Sequence, residues 1–334
     1  MRHLSGMTPP RPLRVFMLGA TGTIGRATVR ALVRHGHEVV CFGRARQGGG
    51  DGTAGAERGV TVRVGDVGNA GSIWHAGFMG EHFDAVVSCM ASRTGTPQDA
   101  WAVDHQGHRH VLQAAQRAGV RHMVLLSAIC VQKPLLAFQQ AKLAFERELM
   151  ESGLDWSIVR PTAFFKSLSG QVDRVQQGKP FMVFGNGTLT ACKPISDDDL
   201  AEFMVSCLTH PLRVNRILPI GGPGTAVTPR QQGEQLFALL GREPKFTRVP
   251  VGLLDAIIVV LSVLGRVIPP LADKAQLARI GRYYATESML VWNESTQRYD
   301  ADATPSTGHD TLTDFFAQRL RGDVADDRRE HAVF

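Results

Sequence analysis

A chain of 334 residues, 43% apolar and 20% charged, can bury a sizeable core as one large α/β domain or a domain with a lobe, and reads as a soluble globular protein. Its net charge of +6 mildly favours an anionic ligand, yet no dense Lys/Arg run with interleaved aromatics is present, which speaks against nucleic acid as a partner. Five scattered cysteines (Cys41, Cys89, Cys130, Cys192, Cys207) contain no CxxC pair, which indicates neither a disulfide framework nor a zinc site and fits a reducing cytosol.

Residues 1–12 lack the apolar core of a signal peptide and read as a disordered lead. An apolar strand, Val15 to Leu18, then meets a loop whose glycines, Gly19, Gly22 and Gly25, stand three apart, and an amphipathic helix follows. With a second strand, Val39 to Phe42, this makes a βαβ unit of the dinucleotide-binding kind. Gly19 allows the tight turn, Gly22 lets a diphosphate approach the backbone, and Gly25 lets helix and strand pack closely. Gly19, Thr21, Gly22, Thr23, Ile24 and Gly25 are the expected cradle, because the helix start offers unpaired N–H groups and the positive end of its dipole. A glycine-rich connector without a ligand is the alternative. The second strand ends Cys41-Phe42-Gly43-Arg44-Ala45-Arg46, with two cations where NAD-preferring sites place a carboxylate for the ribose 2′-OH. The planar fork of arginine can grip a 2′-phosphate, so Arg44 and Arg46 favour NADPH over two merely solvated surface arginines.

Gln47 to Gly59 reads as a glycine-rich flexible loop. Strands are expected at Val60 to Val64, Ala85 to Cys89, Met123 to Ser127 and Trp156 to Val159, with helices at Val103 to Ala118 and Phe138 to Ser152. The alternation predicts an α/β fold, a Rossmann-type doubly wound parallel sheet with a smaller C-terminal substrate lobe. An NADP-binding core would take residues 13–163. The lobe would take 164–322, some of its strands and helices returning to the core, and a frayed charged tail would take 323–334. Ligands of such sheets bind outside the carboxyl ends of the strands. That rule gathers the glycine loop, Arg44, Asp66, Met90 to Ser92, Ser127 and Pro161 around one crevice, with Asp66 near an adenine and Pro161 near a nicotinamide, and Val67 and Ala91 are expected among the cofactor-binding residues.

Three further features have bland readings. His105 and His108 share a helix face beside Asp104 while His110 points elsewhere, which suits a solvated helix surface better than a metal site; no metal is expected. Asp197-Asp198-Asp199 follows Ser196 and precedes an apolar helix, Leu200 to Leu208, as capping and dipole complementation would require. The apolar run Val251 to Leu264, interrupted by Asp255, is too short for a confident membrane span. It reads either as a buried helix or as a helix facing an apolar substrate, a partner or a membrane surface.

The layout resembles the short-chain dehydrogenase/reductase superfamily in its extended or atypical branch. That resemblance implies a Ser at the end of the fifth strand and a Tyr-x-x-x-Lys on the next helix, Tyr donating a proton and Lys lowering its pKa and binding the nicotinamide ribose. Ser127 stands at the strand end, but the helix offers Phe138-Gln-Gln-Ala-Lys142. Phe138 has no proton to give a carbonyl becoming an alcohol, so ordinary alcohol–ketone chemistry is not expected. Two readings remain. Lys142 positions the cofactor for reduction of another bond, such as a C=C whose conjugation spreads the charge left by hydride addition. Or the protein has lost catalysis and senses NADP(H), as NmrA-like members of the superfamily do.

A narrower resemblance rests on residues 125–134 (LLSAICVQKP), 135–146 (LLAFQQAKLAFE), 156–170 (WSIVRPTAFFKSLSG), 191–196 (ACKPIS), 280–290 (IGRYYATESML) and 299–306 (YDADATPS). With these blocks, spread over roughly Leu13 to Phe316, the chain is similar to the divinyl chlorophyllide a 8-vinyl-reductase family. The resemblance implies an oxidoreductase that reduces the 8-vinyl group of divinyl chlorophyllide a or divinyl protochlorophyllide a to 8-ethyl with NADPH, in chlorophyll or bacteriochlorophyll biosynthesis. The Gly48 to Gly52 insertion and the histidine-rich helix start depart from the family where loops and helix surfaces vary easily. The want of a transit peptide leads us to expect the bacterial form in the cytoplasm, with contact to a membrane surface or to pigment-synthesis enzymes left open. On this reading Ser127 and Lys142 are the catalytic pair at the nicotinamide end. A flat apolar substrate asks for aromatic walls with a few polar anchors. Phe138, Phe164 and Phe165 are expected as walls and Lys166 as partner of a substrate carboxylate, against core packing and a surface lysine. Cys130 and Lys133 are potential proton sources beside Ser127, and the apolar run keeps a membrane-surface assembly factor in view.

Overall fold

The computed structural model describes residues 11–44 and 59–324. Arg46, most of the Gln47 to Gly59 loop, and the greater part of the expected lead and tail lie outside the described residues. In chain order the strands are β1 (Arg14–Leu18), β2 (Glu38–Gly43), β3 (Val60–Val64), β4 (Ala85–Ser88), β5 (His122–Leu126), β6 (Asp155–Pro161), β7 (Phe181–Phe184), β8 (Arg216–Ile220), β9 (Phe246–Val249), β10 (Val291–Asn293) and β11 (Arg298–Asp300). The principal helices are α1 (Thr23–Arg34), α2 (His108–Arg117), α3 (Ala137–Met150), α4 (Asp197–Ser206), α5 (Pro229–Leu239), α6 (Val251–Leu264), α7 (Pro269–Thr286) and α8 (Leu312–Arg321).

Seven strands form one sheet in the order β3-β2-β1-β4-β5-β6-β8, and every neighbouring pair is parallel. Helices cover both faces, which is why β1 reads as an unbroken apolar run rather than an alternating one. Side chains still alternate across it. Val15 and Met17 pack with Ile24, Ala27 and Leu32 of α1 and with Leu200 and Met204 of α4. Phe16 and Leu18 pack on the other face with Phe78, Val111 and Leu112 of α2, and Phe145 and Leu149 of α3. The strand order reverses between β1 and β4, so a crevice opens over the carboxyl ends of these two strands.

The lobe has its own core, in which Phe165, Val172, Phe181, Val183, Phe237 and Phe316 meet. Strands β7 and β9 pair there, while β8 joins the edge of the main sheet. The expected cap of α4 is present: Ser196 Oγ accepts from the Asp199 N–H at 3.0 Å, an interaction worth about 1 kcal/mol.

Two regions differ from the sequence expectation. The helix expected from Val103 begins at Pro97 and passes through a π-helical stretch, Trp101–Gly107, before α2. That extra bulge turns His108 inward, so it is 1% exposed rather than solvated. The apolar run forms α6, but it is not a buried helix, for none of its residues is buried. It packs on α7, where Asp255 pairs with Arg282 and Arg279 donates to Ser262 Oγ at 2.9 Å. No described helix is long and apolar enough to cross a membrane.

Candidate functional site

The crevice begins with the glycine loop between β1 and α1. Gly19 takes φ +72°, and a Cβ there would fall 2.5 Å from the Cys89 backbone. A Cβ on Gly25 would lie 1.9 Å from the Gly19 carbonyl oxygen. Both glycines are therefore demanded by backbone packing. Gly22 differs: a Cβ there would meet only the Gly19 oxygen at 3.5 Å, so the loop keeps an open side. Gly22 is also the N-cap of α1, which has no side-chain cap and no acid in its first turn. An uncompensated helix N-terminus facing an open cradle suits a diphosphate.

Two cations stand beside this loop. The Arg26 guanidinium donates to the Thr21 carbonyl, and Lys166 Nζ donates to Thr23 Oγ1 at 3.0 Å. Lys166, expected as an anchor for a substrate carboxylate, thus reaches the cofactor cradle. Close by, Asp197 has its carboxyl pushed up to about 6, because burial, helped by the Asp198 charge, outweighs Lys166, Arg30 and Arg26. Among the described residues its Oδ1 finds no hydrogen-bond partner.

At the end of β2, Arg44 is exposed and follows the strand directly. Past β3, the Asp66 carboxylate accepts from the Gly68 N–H at 3.0 Å, and the Val67 carbonyl accepts from His110 Nδ1 at 3.1 Å. Past β4, Ser92 gives its backbone N–H (3.2 Å) and its hydroxyl (2.6 Å) to Asp104, which lies in the π-helical stretch. Lys142 Nζ pairs with the same carboxylate at 3.0 Å. Asp104 is 1% exposed, so its charge is held by these three donors. Behind it, His108 Nδ1 donates to the Val103 carbonyl at 3.1 Å, and Nε2 accepts from Ser88 Oγ at 2.8 Å. Burial, with Lys142 nearby, depresses His108 to about 4 and keeps the ring neutral.

Ser127 follows β5 and is 6% exposed, and among the described residues its Oγ has no hydrogen-bond partner. A buried hydroxyl without a partner is uncommon, and this one lies at a strand's carboxyl end, the side of such sheets where ligands bind. Ser127 N–H donates to the Val159 carbonyl at 2.7 Å, which ties it to β6. Pro161 ends β6 and pairs in register with Ile220. Next in the chain, Phe164 packs half-buried against the core on the α1 face, and Phe165 is buried in the lobe against Phe315. Phe138 takes another setting, in a small apolar cluster that also contains Cys130 and Ile280 and Tyr284 of α7. Cys130 is buried, and burial raises its thiol. Lys133 is committed elsewhere: its ammonium lies 2.6 Å from Glu287 and over the Trp292 ring.

Sequence reasoning missed Asp104 as the anchor of Lys142, having weighed it only as a metal ligand beside three histidines. Among the described residues no group of three or more His, Cys, Asp or Glu is placed to hold a metal ion. Sequence reasoning placed Ser92 at the crevice but not as a partner of Asp104, and it passed over Tyr284, which lies within the distinctive 280–290 block. The open side of Gly22, the uncapped start of α1, the orphaned Ser127 hydroxyl and the anchored Lys142 together fit a nicotinamide dinucleotide.

Comparison with known proteins agrees. The profile of a family described as NAD(P)H-binding matches residues 19–211, more than half of the chain. The chloroplastic divinyl chlorophyllide a 8-vinyl-reductase of Oryza sativa subsp. indica is 49% identical over 328 residues, covering 95% of this chain and 80% of that protein. Among solved structures, the NADPH-dependent quinone oxidoreductase QOR2 of Escherichia coli, complexed with NADPH, superposes with a TM-score of 0.63 at 18% identity, over 92% of this chain and 99% of that one. The Bordetella bronchiseptica enzyme WbmG in complex with NAD gives a TM-score of 0.65 at 17% identity, over 97% of each chain. At those identities the two structures speak for the fold alone, and they differ in the dinucleotide they carry.

Proposed function

The chain belongs to the divinyl chlorophyllide a 8-vinyl-reductases within the NAD(P)H-binding family, and from this premise we propose that it reduces the 8-vinyl group of divinyl chlorophyllide a or divinyl protochlorophyllide a to 8-ethyl. The observation that carries the reading is the extent of the likeness, which runs across 95% of the chain and so includes the lobe as well as the nucleotide-binding half. The site's own chemistry is consistent with it. Phe138 stands where a carbonyl reductase of this layout keeps its tyrosine, while Lys142 remains and is anchored. A C=C conjugated to a macrocycle tolerates that loss better than a ketone, because the charge left by hydride addition is delocalised.

We take NADPH as the cofactor, and when bound it supplies the hydride. Support comes from Arg44 at the end of β2 and from the lack of a carboxylate in the run Cys41 to Arg46. The open face at Gly22, with the N–H groups of Thr23, Ile24 and Gly25 at the start of α1, would hold the diphosphate, and Arg26 and Lys166 add positive charge beside it. Asp66 and Val67 would border the adenine. Ser127, Lys142 and Pro161 would border the nicotinamide, with Asp104 setting the position of the Lys142 ammonium. Phe138 supplies an apolar wall for the tetrapyrrole.

We further propose that the protein works in the cytoplasm against a membrane surface. All five cysteines are free, as a reducing compartment allows. The exposed residues of α6 are apolar or glycine throughout, and exposed cations flank the helix, Lys245 and Arg248 before it and Arg266 after it. An apolar strip with basic ends complements an anionic lipid interface.

The deciding experiment is anaerobic incubation of the protein with divinyl chlorophyllide a and NADPH, with NADH as control and products read by mass spectrometry. A gain of two hydrogens with an 8-ethyl spectrum, faster with NADPH, is expected. Tight NADPH binding without product would favour the second reading, an NADP(H) sensor, which Phe138 keeps open.

A further inference from the structure

Reduction of a vinyl group needs a proton as well as a hydride, and Phe138 cannot give one. The chain holds three tyrosines, and their hydroxyl partners separate them. Tyr283 Oη donates to the Cys130 carbonyl at 2.9 Å and lies 3.2 Å from the Lys133 carbonyl. Tyr299 Oη donates to the Glu287 carboxylate at 2.6 Å. Both protons are committed to strong acceptors. Among the described residues the hydrogen-bond partner of Tyr284 Oη is the Cys130 sulfur, at 4.0 Å, and a thiol is a weak partner.

The position of Tyr284 is equally specific. Cys130 lies in the turn that follows Ser127, at the carboxyl end of β5. Ile280 precedes Tyr284 by one helical turn on α7, so the two share a helix face. Ile280 and Phe138 both border Gly95: a Cβ on that glycine would lie 3.0 Å from Ile280 Cδ1 and 3.6 Å from Phe138 Cδ1. The face of α7 that carries Tyr284 therefore meets α3 at the residue where the superfamily pattern lacks its tyrosine. Tyr284 as a whole is partly exposed, but its hydroxyl end is buried beside Cys130, which like Tyr283 is itself buried.

We propose that Tyr284 is the proton donor of the reduction, its hydroxyl presented from α7 in place of the one missing at Phe138. The inference rests on the vinyl-reductase reading. The reduced nicotinamide delivers two electrons and a proton as hydride, forming a C–H bond at one vinyl carbon as the C=C π bond breaks. The electron pair released spreads into the macrocycle. The Tyr284 O–H bond then breaks, its proton forms the second C–H bond, and the phenolate is reprotonated by water from the crevice. The cofactor ends oxidised and the vinyl group ends as ethyl. Burial and the adjacent Cys130 hold the phenol well above its ordinary pKa, so it carries its proton until the substrate takes it.

The test compares wild type, Tyr284→Phe and Tyr299→Phe. NADPH affinity is measured by fluorescence without turnover, and kcat and KM with divinyl chlorophyllide a. Tyr284→Phe is expected to bind NADPH as wild type does, keep its KM, and lose about 10²-fold in kcat, the scale of general acid help. Tyr299→Phe is expected to turn over normally. Imidazolium added to Tyr284→Phe should restore turnover in proportion to its concentration, which a merely structural role would not allow. Full kcat in Tyr284→Phe with an active wild type overturns the proton donor and leaves the vinyl-reductase reading standing. Joint loss of kcat and NADPH binding without rescue by imidazolium overturns it too. A wild type that binds NADPH and makes no product removes both.

Discussion

The Lys142 ammonium lies 3.0 Å from a carboxylate oxygen of Asp104, and the Asp104 side chain has no exposed surface. The pair joins α3 to the π-helical stretch before α2, so the position of the lysine proposed to bind the cofactor depends on a distortion in another helix. Functional sites often coincide with such π-bulges. Truncating one partner of a buried pair leaves an uncompensated charge and costs about 3–5 kcal/mol. Asp104→Ala is accordingly expected to lower unfolding stability by roughly 3 kcal/mol in urea titration. Lys142→Ala leaves the buried Asp104 charge with only its two neutral Ser92 donors, so it should lose stability too and, in addition, lose cofactor use, seen as a large rise in the KM for NADPH. Full turnover in Lys142→Ala would remove it from the nicotinamide end.

Dinucleotide choice is tested at Arg44. If its guanidinium grips the 2′-phosphate, Arg44→Glu removes a charge-assisted pair and places a carboxylate where NAD-preferring sites keep one. The kcat/KM ratio of NADPH to NADH should then fall by at least about 10-fold, equivalent to ~1.4 kcal/mol. An unchanged ratio would return Arg44 to the solvated surface.

What was legible in the sequence follows the range of each interaction. The glycine loop, the strands β1 to β6 and the Ser196 cap depend on neighbours a few residues away, and local pattern reveals them. Several strand ends were displaced by one or two residues, because ladder pairing with the neighbouring strand sets them. The inward turn of His108 could not be read, since a heptad-like reading assumes an unbroken α-helix and the π-helical stretch shifts the face. Lys166 reaching Thr23, and Tyr284 reaching Cys130, are contacts between distant segments that carry no periodic signal. For α6 the sequence left a buried and an exposed helix both open, because its composition suits a core as well as an apolar surface, and the tertiary structure decides for exposure.

Asp197 offers a prediction in pH. Its folded-state pKa of about 6 stands above the value near 3.9 expected when unfolded, so the native state binds the proton more tightly. For this group stability therefore rises as pH falls from about 6 toward 4, and the ionised carboxylate is a burden at higher pH. Asp197→Asn cannot ionise. Its Tm should exceed that of wild type at pH 8, and the gap should close near pH 4. A gap that stays constant across this range would mean that Asp197 titrates normally.

The hairpin of α6 and α7 makes the membrane proposal testable without knowledge of the substrate. At 14 residues α6 is about 21 Å long, too short to span a bilayer but long enough to lie along its interface. Leu253, Ile257, Val260 and Leu264 follow one helix face, Val259 and Val263 follow the adjoining one, and Val267, in the turn after the helix, is 83% exposed. Burying such a side chain in lipid gains about 1.5–3 kcal/mol, which several residues together turn into stable attachment. The protein is expected to sediment with phosphatidylglycerol vesicles and to release in high salt only in part, since screening weakens the contribution of Arg248 and Arg266 but not the apolar one. Val259→Glu combined with Val263→Glu alters exposed positions that support no core, and should leave the protein folded in the supernatant. If wild type ignores these vesicles but self-associates, and the same double substitution makes it monomeric, the face belongs to a second copy of the chain and not to lipid.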